Sequence, residues 1–303
     1  MNAPYVVKRA HLSPRFDSRH NLAMPNFAAN LHYLFSEVPF LERFERAAAC
    51  GFRAVEFQVP YDYPAHQLAD LLAHNRLALA LIDTPTGNWQ SGDRGLASVS
   101  GREAEFRASL EKTIEYARVL RPECVHVLAG VYDAATSYEL AENTFVENLK
   151  IAAAALAEIG VAAVVEPINN KMDVVKGGEQ YVTQGMRGFF LHRVDQARHI
   201  IERVAHDNLF LHLDLYHQQI MQGNLAHTLR EHLSVIRHIQ FAGVPGRHEP
   251  SIGEINYPFL FDLIDELGFR GWVGCEYRPR NKTEMGLSWA ERYGIKVPHS
   301  ASG

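Results

Sequence analysis

The sequence predicts an α/β fold: a single (β/α)8 TIM barrel with a short N-terminal extension. Three observations carry that expectation. Short apolar runs alternate with helix-period segments from Asn26 almost to the end, there are eight such runs, and no GxGxxG or GxxxxGK[ST] fingerprint follows any of them. Strand–helix alternation implies right-handed parallel crossovers. Eight such units in 303 residues suit one barrel. A doubly wound open sheet is the competing architecture, and the missing phosphate-binding fingerprint weakens its nucleotide-binding form.

The first strand is NFAAN, closing at Asn30, and a helix follows through FLERFERAAAC, where Phe40, Leu41, Phe44 and Ala48 share a face and Gly51 supplies the stop. RAVEFQV is the second strand, HQLADLLAHN its helix, and LALALI the third strand, ending near Asp83. The long loop TPTGNWQSGDRGLASVSG leads into the helix EAEFRASLEKTIEYARVL. CVHVLAG is the fourth strand, covered by a helix from Tyr138 to Ile159, and VAAVVE is the fifth. After a second long loop come the helix DQARHIIERVA, the sixth strand LFLHLD, and a helix around Leu225–Leu233. IRHIQFAG, the helix YPFLFDLIDELGF and the strand GWVGCEY complete the set.

Composition narrows the function classes. The chain is 47% hydrophobic and 21% charged, with a formal net charge of −5 and a pI near 6.3. That balance argues against nucleic acid as the main ligand. No apolar stretch is long enough to span a bilayer, so no membrane partner is expected. Cys50, Cys124 and Cys275 are odd in number and form no CxxC pair, which suits a reducing cytoplasm. Residues 1–25 stand apart, with Lys8, Arg9, Arg15 and Arg19 against the lone acid Asp17; they read as a flexible extension, leaving 26–297 as the catalytic barrel and 298–303 as a tail.

In a barrel the chemistry sits at the C-terminal ends of the strands. Glu166, Asp214, Gln240 and Glu276 close the fifth to eighth strands and converge on one mouth. Three carboxylates so close repel unless a cation sits between them, and oxygen donors suit Mg²⁺ or Mn²⁺. Taken singly, each could instead cap the next helix or pair with an arginine. His217, in the turn DLYH, is either a surface histidine or a group over the mouth. Arg247, in GVPGRHEPSIGEINY, is either an exposed arginine or a fork for a substrate carboxylate. GNWQSGDRG is either a plain turn or, as its length favours, a lid or substrate contact.

Together, FAANLHYLF, GFRAVEFQVPYDY, GNWQSGDRG followed by GREAEFR, VVEPIN, LDLYHQQIMQG, GEINYPFLF and GWVGCEYRP resemble the hydroxypyruvate isomerase family, which includes 2-oxo-tetronate isomerases, within the xylose-isomerase-like barrel superfamily. The resemblance runs from about Phe27 to Val297, with one departure at EPSIG, where a glycine is expected at Ser251 or Ile252. It implies Glu166, Asp214, Gln240 and Glu276 as divalent-metal ligands, and Glu166 and Glu276 as the acid/base pair. It implies His217, Arg247, Glu56 and Asn169 as substrate contacts, and a homo-oligomer. Related ketose epimerases carry histidine where Gln240 stands, which favours the isomerase branch.

The implied reaction moves the carbonyl of a small hydroxylated 2-keto acid by one carbon through an enediolate. Examples are hydroxypyruvate to tartronate semialdehyde, or 2-dehydrotetronate to its 3-oxo isomer. A divalent ion would stabilise the enediolate charge, and two facing carboxylates would move the protons. An epimerase, an endonuclease-like phosphodiesterase and a non-catalytic metal-binding protein are the competing readings.

Overall fold

The computed structural model describes residues 25–133, 135–171 and 186–297. The expected tail, nearly all of the expected extension, and part of the loop after the fifth predicted strand lie outside the described residues.

Nine short strands run parallel: β1 (Asn26–Asn30), β2 (Ala54–Glu56), β3 (Ala78–Leu79), β4 (Leu81–Asp83), β5 (Cys124–His126), β6 (Ala162–Val165), β7 (Leu209–Asp214), β8 (Ile236–Phe241) and β9 (Trp272–Cys275). Their order is β3-β2-β1-β9-β8-β7-β6-β5-β4. The predicted third strand thus appears as two pieces, β3 pairing with β2 and β4 with β5. Ala80 joins them, its N–H donating to the Val55 carbonyl at 2.8 Å and its carbonyl accepting from the Cys124 N–H at 3.0 Å. Closing a barrel requires such a stagger, because tilted strands pair with one neighbour near their start and the other near their end. Eight staves therefore make one closed ring.

The surrounding helices are α1 (Arg43–Ala49), α2 (Ala65–Asn75), α3 (Glu103–Leu120), α4 (Tyr138–Ala157), α5 (Val194–Val204), α6 (Leu215–Met221), α7 (Leu225–His232) and α8 (Tyr257–Glu266). Their apolar faces pack on the outward residues of the strands in one continuous core. Two elements differ from the sequence reading. DLYH is no free turn: Asp214 caps α6 by accepting the Tyr216 N–H at 2.7 Å. Thr283–Tyr293, read without an element, forms a 3-10 helix whose Trp289 closes an aromatic cluster with Phe27, Phe241 and Phe261, at ring separations of 5.1, 5.3 and 5.7 Å.

Phe241 is fully buried at the end of β8, in edge contact with Phe27 and Phe261. Phe241→Ala is expected to lower the unfolding free energy by about 3–5 kcal/mol, read by urea denaturation.

Candidate active site

Side chains alternate across a strand, so the inward face at each strand end follows from one position. On β7 His212 and Asp214 share it, on β8 His238 and Gln240, on β9 Gly274, with Glu276 just beyond, and on β2 Ala54 and Glu56. Lower down the interior is small and apolar, with Ala28, Ala54 and Ala80 in one cluster and Leu81, Cys124, Ala162 and Val164 in another. Above it lies a polar layer, and beyond that a cavity of about 820 Å³ at the C-terminal mouth. Glu166, Gln240, Glu276, His217 and Arg247 reach its wall. Asp214, Glu56 and Asn169 stand just behind that wall, all buried.

Glu56 is the floor of the site. Its Oε1 accepts from Asn30 Nδ2 at 2.9 Å and Gln240 Nε2 at 2.6 Å, and its Oε2 lies 2.7 Å from His238 Nε2. A Cβ on Gly274 would fall 2.3 Å from Glu56 Oε2, so only glycine leaves room for this carboxylate. Glu56 thus orients Gln240: its Oε1 holds the amide nitrogen, and Gln240 Oε1 is left buried with no hydrogen-bond partner among the described residues. Asn169 acts likewise on His217, its Nδ2 lying 2.7 Å from His217 Nδ1. An amide N–H donates there, so neutral His217 carries its proton on Nε2, 3.5 Å from Asp214 Oδ2 and 3.7 Å from Glu166 Oε1. Burial, with Arg247 and His126 nearby, holds His217 well below its usual range and therefore neutral.

Arg247 is placed differently from a free substrate fork. It is buried, and its Nη2 sits 3.2 Å from Asp214 Oδ2 and 3.0 Å from Glu276 Oε1, while its Nε donates to the Glu276 carbonyl at 3.2 Å. The Tyr33 and Tyr216 rings flank the guanidinium at 5.2 and 4.9 Å. Glu276 Oε1 also accepts from Gln58 Nε2 at 3.0 Å.

Gln58, Asp83, His126 and His212 are among the wall residues that the sequence reading did not single out. His126 Nδ1 lies 3.4 Å from both Asp83 Oδ1 and Glu166 Oε2, and His212 Nδ1 lies 3.7 Å from Glu166 Oε2. The signal was present in LFLHLD, where His212 stands two residues before Asp214 and so on its face, and in LALALID, which also ends in a carboxylate.

The electrostatics follow from burial. Desolvation first, then Glu276, Asp214 and Asp83, push Glu166 well above the usual carboxylate range. Desolvation likewise raises Glu276 and Asp214, with Arg247 opposing in both. Among the described residues, two groups have ligand atoms within 4.8 Å of one another and could hold a metal ion: Glu166 with Asp214 and His217, and Glu166 with His126 and His212.

A closed parallel barrel with a titratable cavity at its C-terminal mouth defines an α/β-barrel enzyme. Residues 44–293 match the xylose isomerase-like TIM barrel family, and the chain belongs to that family. It is 45% identical to 2-oxo-tetronate isomerase of Cupriavidus necator over 89% of this chain and 99% of that one. It is 43% identical to hydroxypyruvate isomerase of Escherichia coli over 89% of this chain and all of that one. With such relatives along its length, the chain is an isomerase enzyme. Among solved structures, AP endonuclease, family 2, from Brucella melitensis superposes with a TM-score of 0.83 at 43% identity, covering 89% and 99% of the two chains. An L-ribulose 3-epimerase structure, at 21% identity and a TM-score of 0.67 over 90% and 86%, shares the fold.

Because the folded chain raises Glu166 above its ordinary 4.5, it binds that proton more tightly than the unfolded chain. Deprotonation then opposes folding, and stability without metal falls as pH climbs from 4.5 toward the raised value. Glu166→Gln removes this term. It is expected to raise the melting temperature of the chelator-treated protein by a few degrees at neutral pH, with little change in mild acid, measured by calorimetry.

Proposed function

We propose that this isomerase moves the carbonyl of a small hydroxylated 2-keto acid by one carbon, with Mg²⁺ or Mn²⁺ as cofactor. Hydroxypyruvate (giving tartronate semialdehyde) and 2-dehydrotetronate (giving its 3-oxo isomer) are the candidate substrates. The observation that carries the reading is the chain-long likeness to isomerases of these acids, joined to two buried carboxylates, Glu166 and Glu276, on one cavity wall.

The residues fit a divalent ion. Gln240 Oε1 is a buried oxygen without a hydrogen-bond partner among the described residues, and burial and mutual repulsion disfavour simultaneous ionisation of Glu166, Asp214 and Glu276. These four side chains would hold the ion, which supplies Lewis-acid stabilisation to enediolate charge. Glu166 and Glu276 belong to staves separated by two others, so they can approach a substrate from different sides. One removes a proton from the hydroxyl-bearing carbon, the hydroxyl proton passes to the former carbonyl oxygen, and the other glutamate returns a proton to the former carbonyl carbon. His217, with its proton on Nε2, donates to a substrate oxygen, and Asn169 holds that tautomer. The buried free thiols Cys50, Cys124 and Cys275 are in keeping with a cytoplasmic setting. Among the described residues no helix is long and apolar enough to cross a membrane.

A phosphodiesterase reading draws on the second cluster, His126, Glu166 and His212, which supplies histidines beyond those counted in the sequence. The net charge of −5 and the named functions of the curated relatives weigh against it.

The test is proton exchange in D₂O with hydroxypyruvate and 2-dehydrotetronate, followed by NMR. Deuterium uptake with a new carbonyl isomer is expected, lost on chelation and restored by Mn²⁺ or Mg²⁺. Glu166→Gln and Glu276→Gln should each slow it by about 100- to 10,000-fold. Folded, metal-loaded protein that exchanges neither acid would overturn the assignment.

A further inference from the structure

We propose that Arg94, laid on the indole of Trp89, forms the subsite for the substrate carboxylate; the inference rests on the keto-acid reading above. A carboxylate entering this cavity meets the acids Asp83, Glu166 and Glu276 on the wall. It needs a cation whose donors are still uncommitted. Three arginines line the cavity: Arg94, Arg247 and Arg278.

Their commitments differ. A guanidinium grips a carboxylate side-on through Nε and Nη2, whose N–H bonds point the same way. In Arg247 both are engaged within the protein, Nη2 with Asp214 and Glu276 and Nε with the Glu276 carbonyl. In Arg94 the opposite edge is engaged. Its Nη1 donates to the Trp89 carbonyl at 3.0 Å and the Asp93 carbonyl at 2.6 Å. Nε and Nη2 make no hydrogen bond and no carboxylate lies in ion-pair range of Arg94 among the described residues. Arg278 also reaches the wall, but it is exposed, where water screens its charge.

The loop keeps that edge free. Asp93, next in the chain, is the natural competitor for Arg94, yet its carboxylate is fully taken. Arg102 grips it at 2.7 and 2.9 Å, and the Asn88 N–H donates to it at 2.7 Å. Gly87 is left-handed, with φ 82°, and a Cβ there would fall 2.5 Å from Asp93 Oδ2, so the loop closes tightly on this acid. The Gly95 N–H ties back to the Thr86 carbonyl at 2.9 Å. The Arg94 guanidinium then rests 3.5 Å from the Trp89 ring centroid, and Trp89 itself is 53% exposed. Stacking and two carbonyl bonds fix the fork before any ligand arrives, which lowers the ordering cost of binding.

The test uses the full chain with Mn²⁺ and D-glycerate, which carries the carboxylate and hydroxyls but no carbonyl to move. Calorimetric titration compares wild type with Arg94→Met, Arg94→Lys and Arg278→Met, each checked for an unchanged melting temperature. Arg94→Met is expected to weaken glycerate binding about 10- to 100-fold. Arg94→Lys should recover part of it, keeping charge without the fork, and Arg278→Met should change it little. Binding unchanged in Arg94→Met, a larger loss in Arg278→Met, or no glycerate binding by wild type overturns the subsite. Wild-type turnover of hydroxypyruvate and of 2-dehydrotetronate is scored separately. Glycerate bound through Arg94 without turnover of either acid would leave the subsite standing and remove the keto-acid reading.

Discussion

The site depends on one constraint: five carboxylates, Glu56, Asp83, Glu166, Asp214 and Glu276, are buried at one end of a barrel. An ionised carboxylate left without partners there is very costly. Most of them are met by a group from another stave or loop. Glu56 has Asn30, Gln240 and His238; Asp83 and Glu166 have His126 Nδ1 at 3.4 Å from each, Asp83 Oδ1 making no hydrogen bond among the described residues; Asp214 and Glu276 share Arg247. The backbone bends to supply the last of these. Arg247 takes the left-handed conformation, φ 56°, which costs a non-glycine residue about 1–2 kcal/mol. Its two charge-assisted contacts, largely buried at the cavity wall, are of the kind that offset such a cost.

The same accounting explains which features the sequence displayed. Glu166, Asp214 and Glu276 were visible because each interrupts or ends an apolar run, and a charge in that position needs a reason. The barrel was visible because eight apolar runs recur between helix-period segments. His126 and His212 were not visible, because histidine inside CVHVLAG or LFLHLD reads as part of a buried strand. Parallel strands are apolar on both faces, so hydrophobicity does not say which residues point inward. Only the terminal carboxylate fixes the parity, and counting back two residues from Asp214 reaches His212.

Arg247, Glu56 and Asn169 illustrate a different limit. Residue type and family pattern put them near a ligand, but type does not reveal what else a side chain holds. Glu56 is turned to Asn30, Gln240 and His238, Asn169 to His217, and Arg247 to two carboxylates. All of these partners are distant in sequence, and their distances are set by the closed ring and its loops. Glu56 and Asn169, which stand behind the cavity wall, can therefore act one contact back, by orienting Gln240 and His217 on it.

Gln240 shows what that orientation achieves. A glutamine amide can present either end, and a freely rotating one offers an ion its oxygen only part of the time. Glu56 accepts hydrogen bonds, so it engages the nitrogen and leaves the oxygen, among the described residues, without a hydrogen bond. An imidazole at this position could meet the same demand by donating one N–H to Glu56 and presenting its other nitrogen as a ligand. The requirement lies in the buried acid beneath, with its space secured by Gly274, more than in the identity of the residue above it. Loss of the glutamate would free the amide to turn, and a donor in place of the acceptor beneath it would reverse the end shown to the cavity. The floor of the barrel thus sets the chemistry of its wall.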